Sequence, residues 1–169
     1  MSLINLPVSI GEGLDKLSIL KIKSKNITDQ SKLIHINNEM NMITSILEPY
    51  LQDPKTRILY NYLVIVNKNI WNLVDISRKN GTTDPIVMKE NDARFRIKDK
   101  INKHTCSTIQ EQKNNPSTIR TFNIYTLADL EDVYNSFVYY DFIHINTPLY
   151  HEIHKIFVNH IGITVCRTE

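Results

Sequence analysis

The chain has 169 residues, 41% hydrophobic and 22% charged, with a formal charge of +2, a length that fits one domain, or one with a small appendage, and buries a core without staples. So small and interleaved a charge argues against a nucleic-acid partner, and two cysteines, Cys106 and Cys166, do not make a secreted disulfide framework. No basic-then-apolar leader opens the chain and no apolar run approaches the ~18 residues of a membrane span, so a soluble, intracellular, cytoplasmic protein without membrane association is expected.

A first helix is predicted over about residues 10–26. Ser9 and Glu12 form an S-x-x-E capping box, in which the hydroxyl accepts from the Glu12 N–H and the carboxylate reaches back to Ser9. Val8 stands where half of a hydrophobic staple would, and Leu14, Leu17, Ile19, Leu20 and Ile22 give a wide apolar face. A second helix carries Leu33, Ile36, Met40, Ile43 and Leu47 at alternating steps of three and four. Pro49 and Asp53–Pro54 are expected to end it. The third helix, over residues 56–79, repeats the spacing with Leu59, Leu63, Val66, Ile70 and Leu73, widened by Trp71 and Val74. Asn80–Gly81 is its stop, glycine taking the left-handed conformation. Asp84 as N-cap and Pro85 at the first position start a fourth helix, reaching about Lys103. Ile86, Ala93, Ile97 and Ile101 share one face, and the stretch NDARFRIKDKIN is strongly polar on the other. Residues 104–118 read as loop.

From Thr118 the pattern changes. Ile119, Phe122, Ile124 and Tyr125 read as a strand. Leu127 to Tyr139 reads as a helix with Leu130, Val133, Tyr134 and Phe137 inward. Phe142, Ile143 and Ile145 read as a strand, Pro148 to His160 as a helix, and Ile161 to Val165 as a third strand. This order implies a small parallel sheet with right-handed crossovers. Such a sheet needs cover on both faces, from the helical part or a second subunit. The expected fold is α+β and mainly α: an antiparallel helical bundle over 1–113 and a βαβαβ unit over 118–169 packed on it.

Asn91, Arg94, Lys98 and Asn102 recur at steps of three and four and share a face of the fourth helix. With Lys16, that face could grip a phosphate or carboxylate, Arg94 bidentate and Lys98 as a point charge. The bland alternative is an interhelical ion-pair network with Glu12 and Asp15 of the first helix, which would hold the bundle in register. His151–Glu152–Ile153–His154 falls one residue short of the zinc motif H-E-x-x-H, so no metal is expected. With four glycines there is no phosphate-cradling Gly-rich loop and no nucleophile elbow. No cofactor and no catalytic set is assigned. The near-heptad stripes of helices two and three fit packing within the chain, or a coiled-coil-like contact with another subunit.

The run PVSIGEGLDKLSILKIKSKNI at residues 7–27 resembles the opening of the DUF6165 family of uncharacterised proteins. The likeness continues at Asn69–Ile70–Trp71–Asn72–Leu73, Asn91–Asp92–x–Arg94, Ile97–Lys98 and Ile101–Asn102, and through Ser107 to Lys113. It covers about residues 7–113 and implies no activity of its own. Some members are encoded near surface-polysaccharide genes, an association that points to carbohydrate chemistry. The abundance of Ile, Asn and Lys with little Ala or Gly fits an AT-rich genome, such as that of a large DNA virus, which would place the protein in host cytoplasm. Two functions are thus carried forward. The first is a non-catalytic helical assembly protein, binding itself or a protein partner through its helices. The second is an enzyme or binding protein of carbohydrate or nucleotide-sugar metabolism. It would hold an anion near Arg94 and Lys98, or at the C-terminal ends of the strands near Tyr125 to Leu127 and Asn146 to Thr147.

Overall fold

A computed structural model describes residues 6–81, 85–112 and 116–168. Helix α1 spans Ile10–Asn26, and Ser9 caps it by accepting the Glu12 N–H at 3.1 Å. The carboxylate half of the predicted box goes elsewhere: Glu12 is ion-paired to Lys98 of α4 (Ile86–His104). Val8 is exposed and staples nothing. Helix α2 spans Gln30–Leu51, capped by Asp29, and runs through Pro49 rather than ending there. Proline in the last turn forfeits one hydrogen bond, and the helix still closes with the Gln52 N–H on the Glu48 carbonyl at 3.2 Å. Asp53 then caps α3 (Pro54–Asn80) by accepting the Thr56 N–H at 2.7 Å. Gly81, at φ +67°, stops that helix as expected. The predicted cap of α4, Asp84, lies outside the described residues. The C-terminus of α4 is a Schellman turn: the Ser107 N–H reaches the Asn102 carbonyl at 2.9 Å, and Cys106 occupies the left-handed position at φ +51°.

The C-terminal part is β1 (Ile119–Asn123), α5 (Leu130–Ser136), β2 (Phe142–Thr147), α6 (Tyr150–Phe157) and β3 (Ile163–Arg167). The strands are parallel in the order β1-β2-β3, with Ile119 opposite Phe142 and Ile143 opposite Ile163. Several boundaries differ from expectation, among them α6, predicted over Pro148 to His160 and spanning Tyr150–Phe157. The first strand stops at Asn123, leaving Ile124 buried just beyond it and Tyr125 exposed. The helix predicted over 127–139 is α-helical only at its centre, between 3₁₀ turns at Leu127–Asp129 and Phe137–Tyr139. The third strand begins two residues late because Gly162 makes the turn at φ +87°; a Cβ there would stand 2.5 Å from the Asp141 carbonyl.

One contiguous core joins both parts, running from Leu14, Leu59, Leu63 and Ile97 to Val133, Phe137, Ile145 and Ile153. The sheet is covered on one face. Ile143, Ile145 and Thr147 of β2 are buried, whereas Phe142 is half exposed and Thr121, Asn123, Thr164 and Cys166 are exposed. The outer face thus lacks the expected second layer; its mostly polar side chains let water serve instead. Among the described residues no helix is long and apolar enough to cross a membrane.

Candidate functional site

Helix α4 is the element around which the polar groups collect. Ala93, Ile97 and Ile101 fill the core at 1% exposure or less. On one flank stand Arg94, Lys98 and Asn102, facing α1. On the other stand Arg96 and Lys100, facing the C-terminal part.

The α1 flank begins at a close approach. Gly11 lies so near α4 that a Cβ would stand 2.8 Å from both the Asn102 Oδ1 and the Lys98 carbonyl oxygen. The space left by the missing side chain admits the Asn102 amide, whose Oδ1 accepts the Gly11 N–H at 2.7 Å. Ser107 Oγ lies 3.4 Å from the Ile10 nitrogen and accepts its N–H. With Ser9 on Glu12, the first free donors of α1 are thus taken by the chain's own oxygens. One turn further, Asp15 is 2% exposed and accepts both Nε and Nη2 of Arg94, the first at 2.8 Å. Asn67 of α3 donates to the same carboxylate at 2.8 Å and to Ser18 at 2.6 Å, and Ser18 donates to the Asp15 carbonyl at 2.7 Å. The Asp15 hydrogen bond holds the Arg94 guanidinium above its usual pKa. Lys98 is ion-paired to Glu12 and, at 2.7 Å, to Glu111. Burial presses its ammonium down, and those two carboxylates more than offset it, so its pKa is raised.

The structure therefore brings Arg94, Lys98 and Asn102 together with Glu12 and Asp15. It does not bring in the other two residues of the candidate set. Asn91 donates to the Val87 carbonyl of its own helix at 2.9 Å. Lys16 is 58% exposed and pairs with Glu39 of α2 at 2.6 Å. At the C-terminal ends of the strands, Asn146 donates to Asn123 at 3.2 Å and Thr147 accepts the Leu149 N–H at 3.0 Å.

The sheet-facing flank went unpredicted. Arg96 pairs with Asp141, which also accepts the Thr118 N–H at 2.7 Å. Lys100 is 5% exposed and donates to the Tyr140 carbonyl at 2.8 Å and the Phe137 carbonyl at 3.4 Å, with its ammonium 4.1 Å from the Phe137 ring centre. Burial lowers its pKa to about 8. Glu90, also buried, accepts the Tyr139 hydroxyl at 2.6 Å and the Asn69 amide at 3.3 Å. Among the unpredicted groups, Asn67 had a sequence signal: it interrupts the apolar stripe of α3 between Val66 and Ile70.

Beside the network a groove of about 170 Å³ opens between α1 and α3, lined by Ile19, Ile22, Ile70, Trp71 and Val74 and by Arg94 of α4. His151 and His154 both lie against Tyr150, at ring-centre distances of 5.4 Å. Among the described residues no three of His, Cys, Asp or Glu are grouped as a metal ion needs. No protein-family model, curated protein or solved structure matches this chain.

Proposed function

We propose that the protein is a non-catalytic helical assembly protein whose polar joint between α1 and α4 fixes the bundle instead of binding a ligand. One observation carries this: each cation of the candidate anion site is already held by a carboxylate of the chain. Arg94 is on Asp15, Lys98 on Glu12 and Glu111, and Lys16 on Glu39. An incoming phosphate would have to displace Asp15 from a site where a buried carboxylate cannot be left unpaired cheaply. The residues quoted for the DUF6165-like resemblance include Gly11, Glu12, Asp15, Arg94, Lys98 and Asn102, the same groups that lock α1 to α4. The likeness then marks a helix–helix joint and carries no activity of its own.

The test is a thermal-shift screen against inorganic phosphate, nucleotides, nucleotide sugars and sugar phosphates, beside sedimentation of the free protein. A ligand at a hundred times its dissociation constant adds about 2.7 kcal/mol. The assembly reading expects a flat screen, a stable oligomer, and Arg94→Ala destabilising the free protein. A shift that disappears in Lys98→Met, a variant that keeps the Asp15–Arg94 pair, would replace it with the anion-binding reading.

A further inference from the structure

The sheet ends in a strand that pairs on one side only. The order β1-β2-β3 leaves β3 an edge. In a parallel ladder alternate residues turn both backbone groups to the neighbouring strand, and the residues between turn theirs away. The Gly162 carbonyl accepts the Ile143 N–H at 2.7 Å, and the Thr168 N–H donates to the Thr147 carbonyl at 3.1 Å. The even-numbered residues of β3 therefore serve β2, and the odd-numbered ones face outward. Ile163 donates its N–H to the His160 carbonyl at 3.3 Å. Along the edge there remain the Ile163 carbonyl, both backbone groups of Val165 and the Arg167 N–H, a template for one further strand. The strand carries no proline, lysine or bulge of the kind that guards an edge.

A groove runs beside that edge. It holds about 330 Å³ and is lined by Tyr150, His154 and Phe157 of α6, by Ile163 and Val165 of β3, and by Lys55 in the first turn of α3. Steps of four and three put the α6 residues on one side of their helix, so the groove follows α6 along the strand. Side chains of an added strand alternate between the two faces of the sheet. Those on the covered face would enter the groove between β3 and α6. Strand addition of this kind draws affinity from main-chain bonds and specificity from the pocket beside them. The lining sets the sign of the partner. Among the described residues of the groove there is Lys55 and no carboxylate, and Arg167 stands exposed at the end of the edge. A second copy's β3, Ile163–Arg167, would bring an arginine and no carboxylate. An Asp or Glu among the groove-facing side chains of a peptide answers Lys55. We propose that the free edge of β3, with the groove between it and α6, docks an extended acidic segment of a different protein as a fourth strand. The surface shares no residue with the α1–α4 joint and goes beyond the reading above.

The test is fluorescence anisotropy with labelled hexapeptides that alternate valine and threonine, a glutamate being moved through each position, beside the same set carrying lysine. Glutamate peptides are expected to bind at about 1–100 µM, and lysine peptides at least about tenfold more weakly. Lys55→Glu should reverse that preference. Val165→Pro removes an N–H that no strand of the fold uses, a place where an edge tolerates proline. It should abolish binding with circular dichroism unchanged. Methylating alternate backbone nitrogens of the peptide should do the same without touching the protein. No acidic peptide binding at about 100 µM, or binding that survives Lys55→Glu and peptide methylation, would overturn the site. N-acetylglutamate competing as well as a peptide would make the groove a small-anion pocket and overturn the strand. An oligomer of the free protein that Val165→Pro dissociates would give the edge to a second copy and overturn the partner.

Discussion

Lys98 and Lys100 lie two residues apart on α4 and are 8% and 5% exposed, yet their pKa values are shifted in opposite directions. Lys98 faces α1, where Glu12 and Glu111 hold its charge and its pKa is raised. Lys100 faces the C-terminal part, where two backbone carbonyls receive it and burial lowers its pKa to about 8. Asp141 stands near enough to favour the charge, but its carboxylate is engaged by Arg96 and Thr118. Burial alone therefore decides nothing about a lysine; what decides is whether its counter-group carries a formal charge or only a dipole. The same helix is joined by ions on one side and largely by dipoles on the other.

The largest effect is expected from cutting the ionic side. Arg94→Ala leaves the buried Asp15 carboxylate with only the Asn67 amide. It should cost about 3 kcal/mol, the low end for a broken buried pair because Arg94 is partly exposed, read from urea denaturation at neutral pH. On the dipolar side the test is pH. The folded state releases the Lys100 proton near pH 8 and the unfolded chain near 10.5. Between those values the unfolded state binds more protons, so stability rises with pH, by at most about 3 kcal/mol at 1.36 kcal/mol per pKa unit. Above pH 10 the trend reverses, because burial pushes the Tyr60, Tyr62 and Tyr139 hydroxyls up to about 12 and the unfolded chain loses those protons first. Lys100→Met should abolish the rise between pH 8 and 10 and keep the fall, as thermal melts across that range would show. Gly11→Ala forces a methyl group against Asn102 and the Lys98 carbonyl and should cost about 1–3 kcal/mol by overpacking. Gly13→Ala, which meets only the Leu47 side chain at 3.3 Å, should cost less in the same denaturation assay. Smallest, and favourable, is Cys106→Gly. Relieving a left-handed non-glycine residue should raise stability by about 0.5–1 kcal/mol, seen as a higher urea midpoint.

The helical stripes and their stop signals were legible because they are local. The S-x-x-E start of α1 and the Asn80–Gly81 end of α3 each depend on a few neighbouring residues. Pro49 misled because a proline forfeits one hydrogen bond and crowds the carbonyl four residues earlier without forbidding the residues after it from staying helical, and α2 continues only two residues beyond it. The polar face of α4 misled more deeply. Spacing sets Arg94 and Lys98 against either an anion or the acids of α1, but it leaves Arg96 and Lys100 without a partner, because it implies a helix with one apolar side. Here it is buried on three, so Arg96, Lys98, Lys100 and Asn102 are all inside. Periodicity fixes which residues share a face but not how many faces are covered. The Arg94–Lys98–Asn102 row was legible as a row. That its counter-charges include Glu111, from the loop after α4, was not, because no period relates a loop to a helix.

Because α4 contributes one flank to the bundle and the other to the sheet, neither part has a boundary that is its own. Removing the C-terminal part would leave Arg96 without Asp141, Lys100 without its carbonyls and Glu90 without the Tyr139 hydroxyl. Removing the bundle would strip Phe137, Ile143 and Ile145 of the core they complete. A chain whose sequence divides at about residue 113 is therefore built to melt as one cooperative unit. The economy of a single shared helix comes at the expense of modularity: the α/β part could not be exchanged, duplicated or shed without undoing the helices that precede it.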